Sequence, residues 1–319
     1  MSKFSVADPV VSVIMSLYNP DLKYLAEQLD SIAAQDFDDF EVVVYNDNPI
    51  GDDLSAFCRD HLGKKPLRYF ATKKNRGYVK AFEHLVSLAN GRCLAFCDQD
   101  DLWAPSRLSA GVKALSSGAL LVTCDRKIIS ADDKILCESW RHSHPTFPET
   151  SWNTGDCITA RAVFTCYSIG MATMIRSDIA KALRPFPTCT GHDKWLALGA
   201  SALGTCAFID SPLVSYRRHG TNITGSLAGI SCKQDWYDTR CADAFELAQT
   251  FALRFPSYPD VARIIDFACA RVEHNVWSIY RNRDLAPAIA YFEIVLHFTP
   301  NWLFRIALRI KNKFVVGIN

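Results

Sequence analysis

The sequence predicts an α/β protein with a mixed, mostly parallel sheet flanked by helices and a helical extension at the C-terminal end. Two observations predict this class. Short apolar runs alternate with amphipathic segments over the first hundred residues, and the chain after about Ser231 has helical periodicity throughout. The 319 residues, of which 49% are hydrophobic and 22% charged, are enough for a large α/β domain with an appendage.

The first hundred residues alternate strands and helices. The predicted strands are Val10–Met15, Phe40–Tyr45, Leu67–Phe70 and Cys93–Cys97, and the predicted helices are Leu22–Ile32, Leu54–Leu62 and Gly77–Asn90. This alternation implies βαβ units, whose ligands bind beyond the carboxyl ends of the strands. Polar residues follow three of those ends: Tyr18 and Asn19, Asp47, and Asp98 to Asp101.

The composition excludes several classes of protein. Lys and Arg total 35 and Asp and Glu 34, so the net charge of +1 offers no basic field for a nucleic acid. The 12 cysteines form no C-x-x-C pair, which argues against a structural zinc site and favours reduced thiols in a reducing compartment. Neither a secretory signal nor a membrane span is apparent. We therefore expect a cytoplasmic protein that is at most peripheral to a membrane.

The sequence lacks two familiar phosphate-binding motifs. No G-x-G-x-x-G follows the first strand, and no G-x-x-x-x-G-K-[ST] occurs. Asp98 and Asp100, separated by one residue at a strand end, can instead hold Mg²⁺ or Mn²⁺. The alternative is an acidic turn that caps the next helix, and spacing alone does not decide between them.

Further motifs, taken together, resemble the family 2 glycosyltransferases, which are inverting sugar transferases of the GT-A type. Val11–Asn19 and Val42–Asp47 are similar to that family's first two strands and base-binding loops. The segments most similar to bacterial rhamnosyltransferase-like members are Asn75–Glu83, Phe96–Trp103, Gly191–Trp195 and Tyr216–Asn222. The resemblance covers roughly residues 10 to 225. It implies a nucleotide-sugar-binding half over residues 1–103, an acceptor and catalytic half over 104–229, and a helical region over 230–319.

The resemblance also implies roles for individual residues. Asp193 is the expected catalytic base, while Asp100 and His219 are the expected ligands of a divalent cation. The expected nucleotide-binding residues are Tyr18, Asn19, Asp47, Asn75, Arg76, Asp98, Gln99 and Arg218, with Arg217 beside Arg218 near the diphosphate. The residues expected around the acceptor and donor sugar are Gly170, His192 and Trp195.

For several of these residues a structural role remains an alternative. Tyr18 can plug the edge of the core, and Asp47 can be a plain turn residue. Asp193 can cap the helix that follows it, and a histidine such as His219 is often an ordinary surface residue.

The last 19 residues predict a basic amphipathic helix. Leu303, Ile306, Ala307, Ile310 and Phe314 share one face, with Arg305 and Arg309 roughly opposite and Lys311 and Lys313 at the flanks. No acidic residue occurs from Asn301 to Asn319. Such a helix can lie on an anionic membrane surface, or it can pack its apolar face against the protein body.

The sequence therefore predicts a metal-dependent, inverting transferase. Its expected partners are a nucleotide-sugar donor, with dTDP-L-rhamnose the preferred donor, and a glycan or lipid-linked glycan acceptor of the bacterial surface. UDP- and GDP-sugars remain alternative donors. A nucleotidyltransferase and a catalytically silent nucleotide-binding subunit are the rival classes. A nucleotidyltransferase usually needs a basic Gly-rich loop after its first strand, and Ser16–Pro20 of this sequence is not such a loop. A silent subunit has no need for Asp47, Asp100, Asp193 and His219 together.

Overall fold

The structure, a computed structural model, describes residues 9–148, 150–219 and 229–316, with side chains described as far as residue 309. The chain divides into two compact units. The first unit consists of Met1–Thr159 and Cys166–Gly220, and the second consists of Ala160–Thr165 and Thr221–Asn319.

The first unit contains the sheet. Its strands are β1 (Val11–Leu17), β2 (Phe40–Asn46), β3 (Leu67–Ala71), β4 (Cys93–Cys97), β5 (Leu102–Trp103), β6 (Leu121–Ser130), β7 (Ile135–Cys137), β8 (Met174–Arg176) and β9 (Cys206–Arg218). Its helices include α1 (Leu22–Ala33), α2 (Ser55–Leu62), α3 (Tyr78–Leu88), α4 (Arg107–Ser116), α5 (Trp140–Ser143), α7 (Ser177–Ala182) and α8 (His192–Leu203), whereas α6 (Thr159–Ala162) begins at the last residue of the segment Met1–Thr159 and has its other residues in the second unit. The strand order is β3-β2-β1-β4-β8-β6-β9-β5, and β7 pairs with β6.

The first four strands form a parallel array, as the alternating pattern predicts. Every residue of β2 is buried, and so are six of the seven residues of β1. Parallel strands covered on both faces read as continuous apolar runs, which is why these strands are apparent in the sequence. The register pairs Leu17 with Asn46 and Met15 with Cys97, so the carboxyl ends of β1, β2 and β4 meet at one edge.

The second part of the sheet is mixed. Strand β8 pairs antiparallel with both β4 and β6, whereas β6 and β9 pair parallel. Strands β6 and β9 are 10 and 13 residues long. The sequence pattern indicates shorter strands in these regions, at Leu120–Thr123 and Leu213–Tyr216. The register of the β6–β9 pair is irregular beside Asp125. Because a bulge of this kind disturbs the regular alternation of side chains, the sequence pattern indicates only part of each strand. The expected fold class, a mostly parallel sheet with flanking helices, is confirmed.

The second unit is helical where it is described. Its helices include α9 (Lys233–Asp235), which continues through a π-helical turn (Trp236–Cys241) into α10 (Ala242–Arg254), then α11 (Val261–Val272), α12 (Val276–Arg281), α13 (Pro287–Phe298) and α14 (Asn301–Val316). A buried ion pair between Arg271 and Glu293, 2.8 Å apart, joins α11 to α13. None of the described helices is long and apolar enough to cross a membrane.

Helix α14 packs against its own unit, but not through the predicted face. Phe304 and Leu308, one helical turn apart, are each 6% exposed and pack with Ile230 and Leu296. Leu303 and Ile306, which the sequence places on the apolar face, are 45% and 43% exposed. Helix α14 therefore packs against its own unit through Phe304 and Leu308. The face predicted to be apolar is exposed at each residue whose side chain is described.

Candidate active site

The carboxyl edge of the parallel strands brings the predicted site residues together. The backbone N–H of Asp47, just beyond β2, donates to the carbonyl of Leu17 at the end of β1 at 2.8 Å. Tyr18 and Asn19 follow β1 directly, and Asp98 follows β4. Asn19 has a positive φ of 46°, a conformation that asparagine tolerates better than most residues. The turn at Asn19 lets the chain leave the sheet at this edge.

Asp47 holds the loop that precedes helix α3. The side chain is 2% exposed, and its carboxylate accepts the backbone N–H of Arg76 at 2.9 and 3.1 Å and that of Gly77 at 3.0 Å. The Asn75 amide donates to the Asp47 carbonyl at 3.0 Å. The N–H groups of Arg76 and Gly77, just before the first residue of α3, therefore already bind a carboxylate. We call Asp47 with residues 75–77 the Asp47 side of the edge.

The other side chains expected to bind nucleotide here are also partnered. Arg76 Nε donates to the Tyr45 hydroxyl at 2.7 Å, which holds the exposed guanidinium against strand β2. Asn19 Oδ1 accepts from Asn48 Nδ2 at 2.6 Å. Tyr18 is 53% exposed, as a side chain that stacks on a base needs to be, and does not plug the core edge. Their roles toward a nucleotide stay predictions.

Gln99 connects the ends of β1 and β4. Its Oε1 accepts the backbone N–H of Tyr18 at 2.9 Å, and its Nε2 donates to the Tyr18 carbonyl at 3.2 Å. Both ends of the amide are thus used within the protein. Gln99 positions Tyr18 in this structure.

Residues 98–101, called here the acidic loop, carry more negative charge than nearby cations neutralise. Burial and the charges of Asp100 and Asp193 raise the pKa of Asp98 to about 7. Asp101 is 1% exposed, and burial with its acidic neighbours raises its pKa well above the usual range. Asp101 Oδ1 accepts the backbone N–H of Arg217 at 2.9 Å, whereas Oδ2 is buried with no partner in the described ranges. A bound cation would favour the ionised forms of these carboxyl groups and lower both pKa values.

Arg217 has a different role from the predicted one. Its side chain is 0% exposed, so the expectation that it offsets the diphosphate charge is wrong. Nη2 lies 2.6 Å from Glu27 Oε2, Nη1 pairs with Asp133, and Nε donates to the carbonyl of Asp100 at 2.9 Å. Arg217 fixes the acidic loop from inside the protein. Arg218 is exposed, with its guanidinium 5.3 Å from the ring centre of Trp140.

Asp100 and His219 fit the predicted cation. His219 Nε2 lies 3.0 Å from Asp100 Oδ2, and their side chains are 13% and 24% exposed, so both reach the surface. A carboxylate oxygen and an imidazole nitrogen are donors that Mn²⁺ accepts, and the carboxylate also suits Mg²⁺. The partnerless oxygen of Asp101 shows that the loop has unused acceptor capacity. Among the residues described, no group of three potential ligands is preassembled, so any further ligands would come from water or the donor phosphates.

Asp193 faces the same space from helix α8. It lies in the first turn of α8, where the helix dipole stabilises a carboxylate, and its Oδ1 accepts the Lys194 N–H at 2.8 Å. Its negative charge contributes to the raised pKa of Asp98. Burial, and secondarily the same charge, also raise the pKa of Tyr78 at the start of α3. Asp193, the acidic loop and Tyr78 therefore surround one space.

The three residues expected around the sugar lie beneath the site. His192 is 5% exposed, with its ring centre 4.1 Å from that of Phe82, and burial lowers its pKa. A Cβ on Gly170 would lie 3.1 Å from His192 Nε2, so Gly170 makes room for this ring. Trp195 is 0% exposed and donates from Nε1 to the carbonyl of Leu183 at 2.9 Å. In this structure these residues support α8 from the core, and their roles around the sugar stay predictions.

Two residues of the site had no role in the sequence analysis. Tyr78 follows Gly77 inside a motif that the resemblance singled out, and a Cβ on Gly191 would lie 3.8 Å from its hydroxyl. Asp101 is hidden in a run of acidic residues that look interchangeable. Its place in that run gives no sign that it alone would be buried against the Arg217 backbone.

A sheet of this order, with an acidic loop and a histidine at its carboxyl edge and a carboxylate opposite, agrees with the arrangement that the resemblance to GT-A glycosyltransferases implies. The sequence model of glycosyl transferase family 2 matches residues 12–181, more than half of the chain, and the chain belongs to that family. The expected enzyme class is thereby confirmed.

Curated relatives agree with this assignment. An uncharacterised glycosyltransferase of Nostoc is 24% identical over 231 residues, which is 70% of each chain. An uncharacterised glycosyltransferase of Methanocaldococcus jannaschii is 31% identical over 110 residues, or 34% of this chain and 38% of the relative. The matched part spans from 15% to 70% of the length of the first curated relatives.

Solved structures share the fold. Residues 1–349 of Staphylococcus aureus TarS in complex with UDP-GlcNAc superpose with a TM-score of 0.61 at 17% identity, over 90% of this chain and 86% of TarS. The mannosyltransferase PcManGT from Pyrobaculum calidifontis, in complex with GDP-Man and Mn²⁺, gives a TM-score of 0.53 at 21% identity, over 97% and 81% of the two chains.

Proposed function

We propose that this glycosyltransferase inverts the anomeric centre and depends on a divalent cation. One observation carries the proposal: Asp193 lies close enough to the acidic loop for its charge to raise the pKa of Asp98. A proton acceptor and a candidate cation site thus border the same space, as a single displacement requires.

In the proposed step, an acceptor hydroxyl attacks the anomeric carbon of the donor sugar. Asp193 takes the hydroxyl proton as the new C–O bond forms, and the bond from the anomeric carbon to the diphosphate oxygen breaks. Asp100 and His219 would hold Mg²⁺ or Mn²⁺, which supplies positive charge to the departing nucleoside diphosphate. Arg217 keeps the acidic loop in place, because it binds the Asp100 carbonyl and the Asp101 carboxylate.

For the donor we propose a nucleotide-activated sugar, with dTDP-L-rhamnose preferred. The support is the resemblance of Asn75–Glu83 and Phe96–Trp103 to rhamnosyltransferase-like sequences. UDP- and GDP-sugars are the alternatives, since TarS and PcManGT were solved with UDP-GlcNAc and GDP-Man. Tyr18, exposed at the end of β1, is the proposed base-stacking residue.

For the acceptor we propose a growing bacterial surface polysaccharide or lipopolysaccharide, either free or lipid-linked, at the cytosolic face of the inner membrane. The support is again the resemblance to rhamnosyltransferase-like sequences. Membrane association of this chain is a separate proposal, because it concerns residues of the second unit.

Calorimetric titration tests the donor and the cation. The full chain is titrated with dTDP, UDP and GDP in Mg²⁺, in Mn²⁺ and in EDTA. We expect one nucleotide to bind tightly with metal and at least tenfold more weakly in EDTA. Asp100→Asn should lose most of the metal-dependent gain, whereas Asp178→Asn, on the surface of α7, should not. Equal binding in EDTA contradicts metal dependence, and no binding of any nucleotide contradicts the proposed donor class.

Asp193→Asn tests the base. The amide keeps the size of the side chain but cannot take a proton, so transfer should fall by a factor of about 10² to 10⁴. Donor affinity should stay within a few-fold, because the bound nucleotide does not need the base. Turnover that survives this change would show that another group accepts the proton.

A further inference from the structure

We propose that the second unit binds an anionic lipid surface through an exposed apolar face on α13 and the start of α14. This aromatic face consists of Tyr291, Val295, Phe298 and Trp302. These residues are 51%, 65%, 73% and 65% exposed. The proposal concerns lipid binding alone, so its test does not depend on the proposed transfer reaction.

The spacing of the aromatic face is unusual for a water-soluble helix. Tyr291, Val295 and Phe298 recur at intervals of four and three residues, which places them on one side of α13, and Trp302 follows in the first turn of α14 after Thr299 and Pro300. A helix in a soluble protein normally turns such a stripe toward the core. Here α13 buries Ala290 and Leu296 as well, so it is apolar on both its inner and its outer sides. The outer stripe has no structural role within the described part of the unit.

Neighbouring helices extend this apolar surface. Trp277 on α12 is 82% exposed and lines a groove together with Phe298. On the other side of α13, Val295 lines a second groove together with Leu303 of α14. The two grooves share α13, so the exposed apolar area is continuous across three helices. Contiguous patches of this kind mark interaction sites in soluble proteins.

The charge around the aromatic face favours an anionic partner. The last acidic residue of the chain is Glu293, which is 1% exposed and paired with Arg271. Arg305 and Arg309 on α14 are exposed. Tryptophan and tyrosine are enriched at the headgroup level of membranes, and basic side chains nearby bind anionic lipids.

The same charges disfavour a second copy of this chain as the partner. In a two-fold dimer the aromatic face would pack on itself and bring the arginines of both copies together. The described face offers no exposed carboxylate to pair with them. A lipid surface supplies both an apolar interior and negative headgroups, and the described helices are too short to span it.

Vesicle flotation tests the proposal with the full chain. One set of vesicles is phosphatidylcholine, and the other is an equal mixture of phosphatidylcholine and phosphatidylglycerol. We expect flotation with the anionic vesicles, and at least tenfold weaker binding to the neutral ones. The double variant Phe298→Ser with Trp302→Ser should lower binding to the anionic vesicles at least tenfold.

Matched variants separate the possible results. Leu253→Ser removes an apolar side chain that is 84% exposed on α10 of the same unit, and its binding should not change. Arg305→Gln with Arg309→Gln should reduce the preference for anionic vesicles. Circular dichroism and thermal unfolding confirm that each variant is folded.

Two results would overturn the proposal. One is wild-type protein that does not float with anionic vesicles, above all if light scattering shows a dimer that the double serine variant dissociates. The other is equal binding by wild type and the double serine variant, which would mean that the aromatic face does not contact lipid.

Discussion

Two regions at the edge of the sheet, the Asp47 side and the acidic loop, differ in how the charge of their carboxylates is balanced. On the Asp47 side, one buried carboxylate accepts backbone N–H groups through both oxygens. In the acidic loop, three carboxylates lie close together, and Asp98 and Asp101 have raised pKa values. The Asp47 side therefore stabilises the fold as it stands, whereas the acidic loop is costly until something positive binds. Carboxyl groups with perturbed pKa values, as in the acidic loop, are better candidates for function than a carboxylate whose hydrogen bonds are already made within the fold.

The largest effect is expected from Arg217, the buried cation behind the acidic loop. Arg217→Met would leave the Asp100 carbonyl without its donor and remove the partner of Glu27 and Asp133, so the free energy of unfolding should fall by about 2–4 kcal/mol. Urea denaturation measures this change. Arg218→Met is the matched control, and it should stay within about 0.5 kcal/mol because Arg218 is exposed. Similar losses in both variants would contradict a special role for Arg217.

A smaller loss is expected on the Asp47 side. Asp47→Ala would leave the backbone N–H groups of Arg76 and Gly77 without their acceptor, which should cost about 1–3 kcal/mol. The same urea titration measures the loss, with Asp60→Ala on the exposed surface of α2 as the control. An unchanged unfolding midpoint would mean that water replaces the carboxylate without cost.

Removing a carboxylate from the acidic loop should raise the free energy of unfolding, not lower it. Asp98→Asn removes one of several like charges, so the metal-free protein should gain about 1 kcal/mol in its free energy of unfolding. Asp178→Asn, which removes an exposed carboxylate paired with Arg176, should not stabilise the protein. A destabilised Asp98→Asn variant would show that Asp98 is needed to hold the loop.

The smallest effect concerns His192, a neutral ring beside Asp193. Burial lowers its pKa below the ordinary value of 6.5. Below that pH the unfolded chain binds a proton that the folded ring does not, so stability falls as the pH falls. His192 should therefore lower the free energy of unfolding as the pH falls from about 7 to about 6, through the ordinary histidine pKa.

The comparison of wild type with His192→Phe measures this contribution, because phenylalanine does not titrate. The difference in unfolding free energy between the two proteins should change with pH in that range. His142→Gln, whose side chain in the wild type is 71% exposed, is the control and should show the wild-type dependence. Parallel curves for wild type and His192→Phe would contradict the lowered pKa.

The parallel half of the fold was accessible from the sequence. Strand β4 was predicted with its observed bounds, and β1 and β2 to within two residues. Buried parallel strands are continuously apolar, so they need no knowledge of their neighbours to be recognised. The gathering of Tyr18, Asp47 and Asp98 at one edge followed from the same reasoning.

Other features depend on neighbours that are remote in the sequence. Arg217 and Arg218 are adjacent and chemically alike, yet one is buried and the other exposed, because β9 turns alternate side chains to opposite faces. Helix α14 has more than one apolar side, and the position of Ile230 and Leu296 decides that Phe304 faces inward. No local pattern contains this information.

The hydrogen bonds between Gln99 and Tyr18 have a consequence for how donor choice can evolve. Gln99 binds the main-chain N–H and carbonyl of residue 18, which every amino acid except proline supplies. The side chain at that position can therefore change without loosening the connection to the acidic loop. A lineage, or an engineer, can alter the proposed base contact at residue 18 while the catalytic apparatus keeps its geometry.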